Sequence, residues 1–121
     1  IQHIRMAMAS GPDIRCFGRA NVLRFYWEGE DKPSVEVPFS DIFAIGHDLF
    51  ASVNSRAVTV NPRSAMTCYW PKSFREHAKV TITNESHEDL NLGFHITYAE
   101  TEVSDEAGCF HAQWRRITRN P

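Results

Sequence analysis

The stretch VLRFYWEGEDKPSVEVPF, residues 22–39, decides the fold of this chain. Residues 22–27 are mostly β-branched or aromatic, and Arg24 interrupts the apolar run, which favours a strand over a helix. Residues 28–32 are polar and include Gly29, so the chain can reverse direction there. Residues 34–37 then alternate polar and apolar up to Pro38, which has no N–H for a sheet ladder and ends the strand. The stretch predicts a β-hairpin whose apolar face other segments must cover.

Short strands are predicted on both sides of this hairpin. They are residues 1–8, 57–60, 66–70, 78–84, 92–98 and 109–116. In residues 78–84 apolar side chains alternate with Lys79, Thr81 and Thr83, the pattern of a half-buried strand. The alternation places one core at Leu23, Phe25, Val80, Ile82, Phe94 and Ile96. About eight strands without a sustained helical period predict an all-β fold, an antiparallel β-sandwich of jelly-roll type.

Three connections between these strands have local signals of their own. Residues 10–13, Ser-Gly-Pro-Asp, form a turn signal. Residues 40–46 predict one helical turn, with Ser40 as the N-cap and Gly46 as its end. Residues 49–56 show no firm pattern and are predicted to form a loop.

Length and charge limit the possible classes of function. The 121 residues form one domain, 1–121, that is long enough to bury a core, and 42% of them are hydrophobic. The net charge of -2 gives no basic footprint for a nucleic acid or an anionic membrane, so neither partner is expected. No apolar run approaches the roughly 20 residues of a membrane helix. Ile1 in the place of Met suggests a piece excised from a longer protein.

Cysteine and histidine positions do not predict a metal site. Cys16, Cys68 and Cys109 are odd in number and widely spaced, which indicates buried thiols instead of a disulfide framework or a zinc site. His95 and His111 lie on late strands and could meet as metal ligands. Metal sites need three or four converging ligands, and the His-x-His signature of cupins does not occur, so hydrogen-bonded structural histidines are favoured. No metal or cofactor is expected.

The last predicted strand carries the clearest candidate binding residues. Alternation places Phe110, Ala112, Trp114 and Arg116 on one face, where Phe110 and Ala112 should be buried and Trp114 at least partly buried. Cys109, His111, Gln113 and Arg115 lie on the opposite face. Flat aromatic faces stack on the C–H faces of sugars, and His or Arg side chains can hydrogen-bond their hydroxyl groups. A carbohydrate or subunit contact is one interpretation of the polar row. Simple solvation of the row, with the tryptophans in the core or an interface, is the other.

Five sequence blocks, in the same order, resemble blocks of the DUF2961 proteins, which are now classed as glycoside hydrolase family 172. The blocks here are IQHIRM (1–6), VLRFYWEGE with PSVEVPFSDIF (22–30 and 33–43), TCYWPKSF (67–74), AKVTITNE (78–85) and GCFHAQWRR (108–116). They are similar to the family's IRHIW, LRIYWDGE with PSVEVPLGDFF, NCYWPMPF, ARITLENE and GYFHAQWRR. The resemblance covers nearly the whole chain. It departs at Ser40, where the family has Gly, and at Ile42, where it has Phe.

The resemblance implies a role within a larger enzyme. Family members are described as two tandem jelly rolls, and this chain is similar to the N-terminal one. The family includes difructose-anhydride synthase/hydrolase and α-fructofuranosidase or α-arabinofuranosidase activities, so the implied chemistry is cleavage or transfer at a furanoside linkage by two carboxylates. Its catalytic glutamates lie in later segments of the type WGEGD and GTGTEDYF, which this chain lacks. We therefore expect no catalytic residue in this chain and no activity from it alone.

A sugar-binding surface and an oligomer interface remain as expected contributions. The candidate substrate-binding residues are His47, Tyr69, Trp70, His111, Trp114 and Arg115. The resemblance implies a homo-oligomer, a trimer or a hexamer, and a jelly roll without its tandem partner should expose apolar surface. The alternative is a non-enzymatic jelly-roll module for carbohydrate binding or for capsid-like self-assembly, because fold alone does not decide function.

Overall fold

The computed structural model describes residues 1–9, 20–45, 52–61, 65–87 and 89–116. Within these residues the chain forms nine strands and one short 3-10 helix. They are β1 (His3–Ala9), β2 (Asn21–Trp27), β3 (Val35–Pro38), the 3-10 helix (Asp41–Phe43), β4 (Val53–Asn54), β5 (Val58–Asn61), β6 (Ala65–Cys68), β7 (Ala78–Asn84), β8 (Asn91–Thr97) and β9 (Ala112–Gln113).

The strands form two sheets that pack face to face. The five-stranded sheet has the order β4-β5-β6-β1-β8, and the four-stranded sheet has the order β7-β2-β3-β9. Neighbouring strands are antiparallel except for β3 and β9, which are parallel. The predicted all-β sandwich is therefore confirmed, whereas its jelly-roll type stays a prediction.

The hairpin of β2 and β3 lies inside the four-stranded sheet, as the sequence predicted. Val22 pairs with Pro38 and Phe25 with Val35, and β2 pairs on its other side with β7. The reversal uses left-handed backbone at Glu28 (φ 55°) and Gly29 (φ 75°). Glycine adopts this conformation without a steric cost, which explains why the turn lies there.

The core fills the space between the sheets. Leu23, Phe25 and Trp27 of β2 are fully buried, and Ile4 and Met6 of β1 face them from the other sheet. Burying one such large side chain contributes about 1.5–3 kcal/mol. The indole Nε1–H of Trp27 donates to the carbonyl oxygen of Phe110 at 2.8 Å, so its polar atom is satisfied.

The predicted core is wrong at Phe94, which is 70% exposed. Phe94 pairs with Met6, so it lies on the inner face of its sheet, but β8 is an edge strand and no described segment covers it. Val80 and Ile82 of β7, the edge strand of the other sheet, are only half-buried, and so is Ile96 of β8. Alternation identified the inner face correctly, but it does not show whether a strand lies at an edge.

Several local predictions need correction. The expected loop at residues 49–56 contains β4, which pairs with β5. The expected strand at residues 109–116 is reduced to the two residues of β9. Ser40 precedes the 3-10 helix without a side-chain capping bond, and the left-handed residue after it is Ala44 (φ 62°). Gly46, the turn at residues 10–13 and Cys16 lie outside the described residues.

Thiols, metal ligands and apolar helices can be assessed for the described part of the chain. Cys68 is buried, as predicted, and Cys109 is half-buried. Within the described ranges no three His, Cys, Asp or Glu side chains converge as a metal site. The described segments also contain no helix with the length and apolarity needed to cross a membrane.

Candidate functional site

An open cavity of about 490 Å3 lies beside the β2–β3 hairpin turn. We call it the hairpin cavity, and its lining residues are Glu30, Lys32, Pro33, Ser34, His111, Ala112 and Gln113. Val35 pairs with Ala112 and Glu36 with Gln113 in the parallel β3–β9 ladder. This ladder brings residues from the end of the chain against the turn of the hairpin, although they are far apart in sequence.

The hairpin cavity presents hydrogen-bonding groups of several kinds. The Ser34 hydroxyl donates to Glu30 Oε2 at 2.6 Å, which fixes the carboxylate. His111 Nδ1 lies 2.7 Å from the carbonyl oxygen of Cys109. Because a carbonyl only accepts, Nδ1 donates to it, which leaves Nε2 as the ring nitrogen for a ligand. With the Lys32 ammonium and the Gln113 amide, the cavity offers both donors and acceptors to a hydroxyl-rich ligand.

Part of the predicted polar row of the last strand lies at this cavity. His111 and Gln113 line it, and Arg115 donates to Gln113 Oε1 at 3.0 Å. Trp114 is 43% exposed. On the opposite face, Phe110 and Ala112 are half-buried instead of fully buried. The other predicted site residues are not among the lining residues of this cavity.

Tyr69 and Trp70 follow the end of β6 and are 46% and 51% exposed. Tyr69 lies next to His3, with ring centroids 5.7 Å apart, and His3 stacks on His95 at 6.1 Å with an interplanar angle of 5°. These three rings form an aromatic row that is separate from the hairpin cavity. His95 and His111 therefore belong to different places, and His47 lies outside the described residues.

Sequence reasoning missed His3 and His95 as neighbours of Tyr69. His3 stands on the less apolar face of the first predicted strand, which is a signal for outward orientation. The pairing of β1 with β8 then brings His95 beside it, because Arg5, two residues after His3, is opposite His95. Strand order is not readable from one sequence, so this row was not predictable.

A second and larger cavity, of about 1000 Å3, lies between the edge strands β7 and β8. We call it the edge cavity, and Lys72, Phe74, Arg75, Val80, Ile96 and Tyr98 are among its lining residues. The Arg75 guanidinium donates to the carbonyl oxygens of Ser104 and Ala107, both at 3.2 Å. These bonds hold residues 104–107 against the sandwich.

Glu28, in the hairpin turn, binds the backbone of the segment that lines the edge cavity. Its carboxylate accepts hydrogen bonds from the backbone N–H groups of Arg75 and Glu76. The Arg75 N–H is the largest cause that lowers the pKa of Glu28 below its usual value. Hydrogen bonds to the charged form favour that form, so Glu28 is ionised at neutral pH.

Lys72 is a buried cation that sequence reasoning also missed. It is only 1% exposed, and its Nζ donates to the carbonyl oxygen of Trp70 at 2.6 Å. Nζ also lies 3.6 Å from Cys68 Sγ and 5.5 Å from the centre of the Phe110 ring. Burial lowers the pKa of Lys72, since the charged form loses its hydration. The only sequence signal is that Lys72 stands where the family block NCYWPMPF has Met.

Comparison with known protein families gives one result that bears on these cavities. The family model described as GH172 first beta-sandwich domain matches residues 5–115. The match extends from β1 through β9 and includes the residues that line the hairpin cavity. A search of the curated proteins finds no match.

Proposed function

Because this chain belongs to glycoside hydrolase family 172, as its first β-sandwich domain, we propose that it supplies a sugar-binding surface to an enzyme acting on furanosides. The main support for this proposal is the hairpin cavity. We propose fructofuranosides and arabinofuranosides as the substrate class. We also propose that the sandwich is of the jelly-roll type.

The chemistry of the lining residues suits a sugar. A furanoside presents hydroxyl groups that both donate and accept, and Glu30, Lys32, Ser34, His111 and Gln113 supply partners for both roles. Pro33 and Ala112 add apolar surface for the C–H face of a ring. The volume of about 490 Å3 lies within the range of roughly 300–1,000 Å3 typical of small-ligand sites.

Bond cleavage is proposed to depend on residues outside this chain. Retaining glycosidases use two carboxyl groups about 5 Å apart, and inverting enzymes place them farther apart, at about 6.5–9.5 Å. Among the described residues that line the hairpin cavity, Glu30 is the one carboxylate. We therefore assign the cavity to substrate binding and positioning, and we expect no hydrolysis by the 121 residues alone.

Trp114 and Arg115 extend the proposed surface from the same strand end. Arg115 holds the Gln113 amide, so it is proposed to orient that side chain toward a ligand. Tyr69 and Trp70 are exposed at the end of β6 and are proposed as a separate stacking contact. His47 remains a prediction.

Sugar binding by the purified chain tests the proposal. Titration with difructose anhydride and with an aryl α-arabinofuranoside, followed by NMR of backbone amides, should shift signals of residues 30–34 and 111–113. His111→Ala should weaken binding about tenfold, which corresponds to about 1.4 kcal/mol for a hydrogen bond lost from a partly enclosed site.

His87→Ala is the matched control, because His87 is an exposed histidine that lines none of the cavities described above. It should bind as the unchanged chain does. Equal binding by His111→Ala, or no shift at the cavity residues, would remove the proposal. Turnover of either sugar by the purified chain would show that the catalytic groups are present here after all.

One further observation supports a second role in assembly. We infer that the chain also associates with a second copy of itself through β8. This seven-residue edge strand contains no Asp, Glu, Lys or Arg, and it carries the 70% exposed Phe94. Natural edge strands are usually protected by charge or by short length, and an unprotected edge pairs readily with another strand. Two copies of a strand without Asp, Glu, Lys or Arg meet with little electrostatic repulsion.

A further inference from the structure

Cys68 and Lys72 form a buried pair that the proposed sugar surface does not use. Each is 1% exposed, and Cys68 Sγ lies 3.6 Å from Lys72 Nζ. Cys68 ends β6, and Lys72, four residues later, places its amine against the sulfur. The backbone N–H of Tyr69 donates to the carbonyl oxygen of Ala57 at 2.6 Å, which fixes the start of the connecting segment.

The surroundings of Lys72 lack a compensating negative charge. Within the described residues no carboxylate lies at ion-pair distance from its Nζ, whose contacts are a carbonyl oxygen, a thiol and an aromatic ring. An ammonium that is buried without an anion carries a large desolvation cost. This cost lowers the pKa of Lys72, so its ammonium releases a proton to form the nucleophilic amine more readily than that of an exposed lysine.

A buried thiol is ordinarily unreactive, and a buried lysine can simply be tolerated. Two observations distinguish this pair from that ordinary case. The amine is in direct contact with the sulfur, so a reaction between them needs no diffusion, and proximity of this kind raises rates by a large factor. Lys72 also lines the edge cavity of about 1000 Å3, so the amine side of the pair borders this cavity.

We propose that Cys68 and Lys72 are a modification site, at which a peroxide oxidant joins Sγ to Nζ in a covalent sulfur–nitrogen bond. In the first step Sγ attacks one oxygen of hydrogen peroxide, the O–O bond breaks, and the other oxygen leaves with the thiol proton as water. The product is a sulfenic acid. In the second step the lone pair of Nζ attacks Sγ, the S–O bond breaks, and hydroxide leaves with one amine proton as water. Sulfur loses two electrons, one peroxide is reduced, and two waters form.

The cross-link would change the properties of the neighbouring segment. It removes the buried basic amine and ties Lys72 to the end of β6, so residues 69–71 become a closed loop. Tyr69 and Trp70 lie on that loop and are exposed. Treatment with peroxide would therefore restrict the movement of Tyr69 and Trp70. The inference is independent of the proposed sugar binding, because it concerns other residues.

Mass spectrometry after peroxide treatment tests the proposal directly. Reduced chain is exposed to hydrogen peroxide at neutral pH, quenched with catalase and digested with trypsin. Unmodified protein is cleaved after Lys72, which releases residues 64–72. A cross-linked lysine is not a trypsin site, so the expected product is the peptide 64–75 with a mass lower by about 2 Da, the loss of two hydrogen atoms. Dithiothreitol should restore the cleavage.

Two variants separate the cross-link from ordinary thiol oxidation. Lys72→Met removes the amine but keeps a side chain of similar length, and circular dichroism verifies that it folds. It should show no loss of 2 Da and instead gain about 16 or 32 Da at Cys68, located by fragmentation because the methionine side chains of the same peptide also gain about 16 Da each. Cys109, the half-buried described cysteine, is the internal control and should follow the same oxygen-adding course in both proteins.

The proposal is overturned if unchanged protein gains only oxygen at Cys68 while cleavage after Lys72 continues. A disulfide between chains as the main product would also overturn it. Persistence of the 2 Da loss in Lys72→Met would assign the bond to another nitrogen and would exclude Lys72.

Discussion

Two strands of the sandwich, β2 and β8, have the same alternating sequence pattern but very different packing. We call the surroundings of β2 the packed side and the surroundings of β8 the open side. In β2, which has a strand on each side, Leu23, Phe25 and Trp27 are fully buried. In β8, which has a neighbour on one side only, Phe94 is 70% exposed although it faces inward. Burial thus depends on the neighbours of a strand as much as on its own pattern. The packed side can hold a rigid binding surface, and the open side is suited to a partner.

The largest expected effect compares two phenylalanines that share this pattern. Phe25→Ala should lower the free energy of unfolding by about 3–5 kcal/mol, because a large cavity opens in a filled core. Phe94→Ala should change it by less than about 0.5 kcal/mol, as is usual for a surface substitution. Urea unfolding followed by tryptophan fluorescence measures both. Similar losses in the two variants would mean that the open edge is covered in solution.

The next largest expected effect is on self-association, which should depend on the open side. We expect the chain to form dimers or larger species in light scattering at about 100 μM, since apolar edge surface favours association. Phe94→Lys should weaken this association at least about tenfold, because charge on an edge strand opposes strand pairing. Asn54→Lys, at an exposed position of β4 on the opposite edge of the same sheet, is the control and should leave the association unchanged. A monomer in the unchanged chain would argue against the assembly role.

The smallest expected effect concerns a buried polar group in the core. The Ser40 hydroxyl is buried and has no hydrogen-bond partner among the described residues. An unsatisfied buried hydroxyl costs free energy, so Ser40→Ala should be neutral or stabilising by up to about 1 kcal/mol. Thermal unfolding of this variant beside Ser34→Ala, which loses a real hydrogen bond to Glu30, provides the measurement. A clear destabilisation by Ser40→Ala would reveal a partner for this hydroxyl.

Local signals explain the parts of the fold that the sequence predicted well. Gly29 and Pro38 mark the turn and the end of the hairpin within a few residues, and β7 has the predicted bounds, residues 78–84. Each of these features depends on neighbours in sequence. Phe94 was misplaced because strand order depends on segments far along the chain.

The candidate site was predictable only in part, for the same reason. His111 was a candidate from the sequence and lines the hairpin cavity, but its neighbours Glu30 and Ser34 come from a parallel pairing that no local pattern indicates. Tyr69 and Trp70 were expected near it, yet they lie outside the hairpin cavity. Lys72 went unnoticed because its burial results from contacts with Cys68, Trp70 and Phe110 that no local pattern indicates.

The parallel pairing of β3 with β9 has a consequence for the order of folding. The β2–β3 hairpin closes a short loop, and hairpins of this kind form within about 1–10 μs. Joining β9 to β3 requires closure over the more than 70 residues between Val35 and Ala112, which costs more chain entropy and is slower. During synthesis the hairpin emerges long before its partner strand. The hairpin cavity is therefore completed late, and ligand binding there would report that the whole domain has folded.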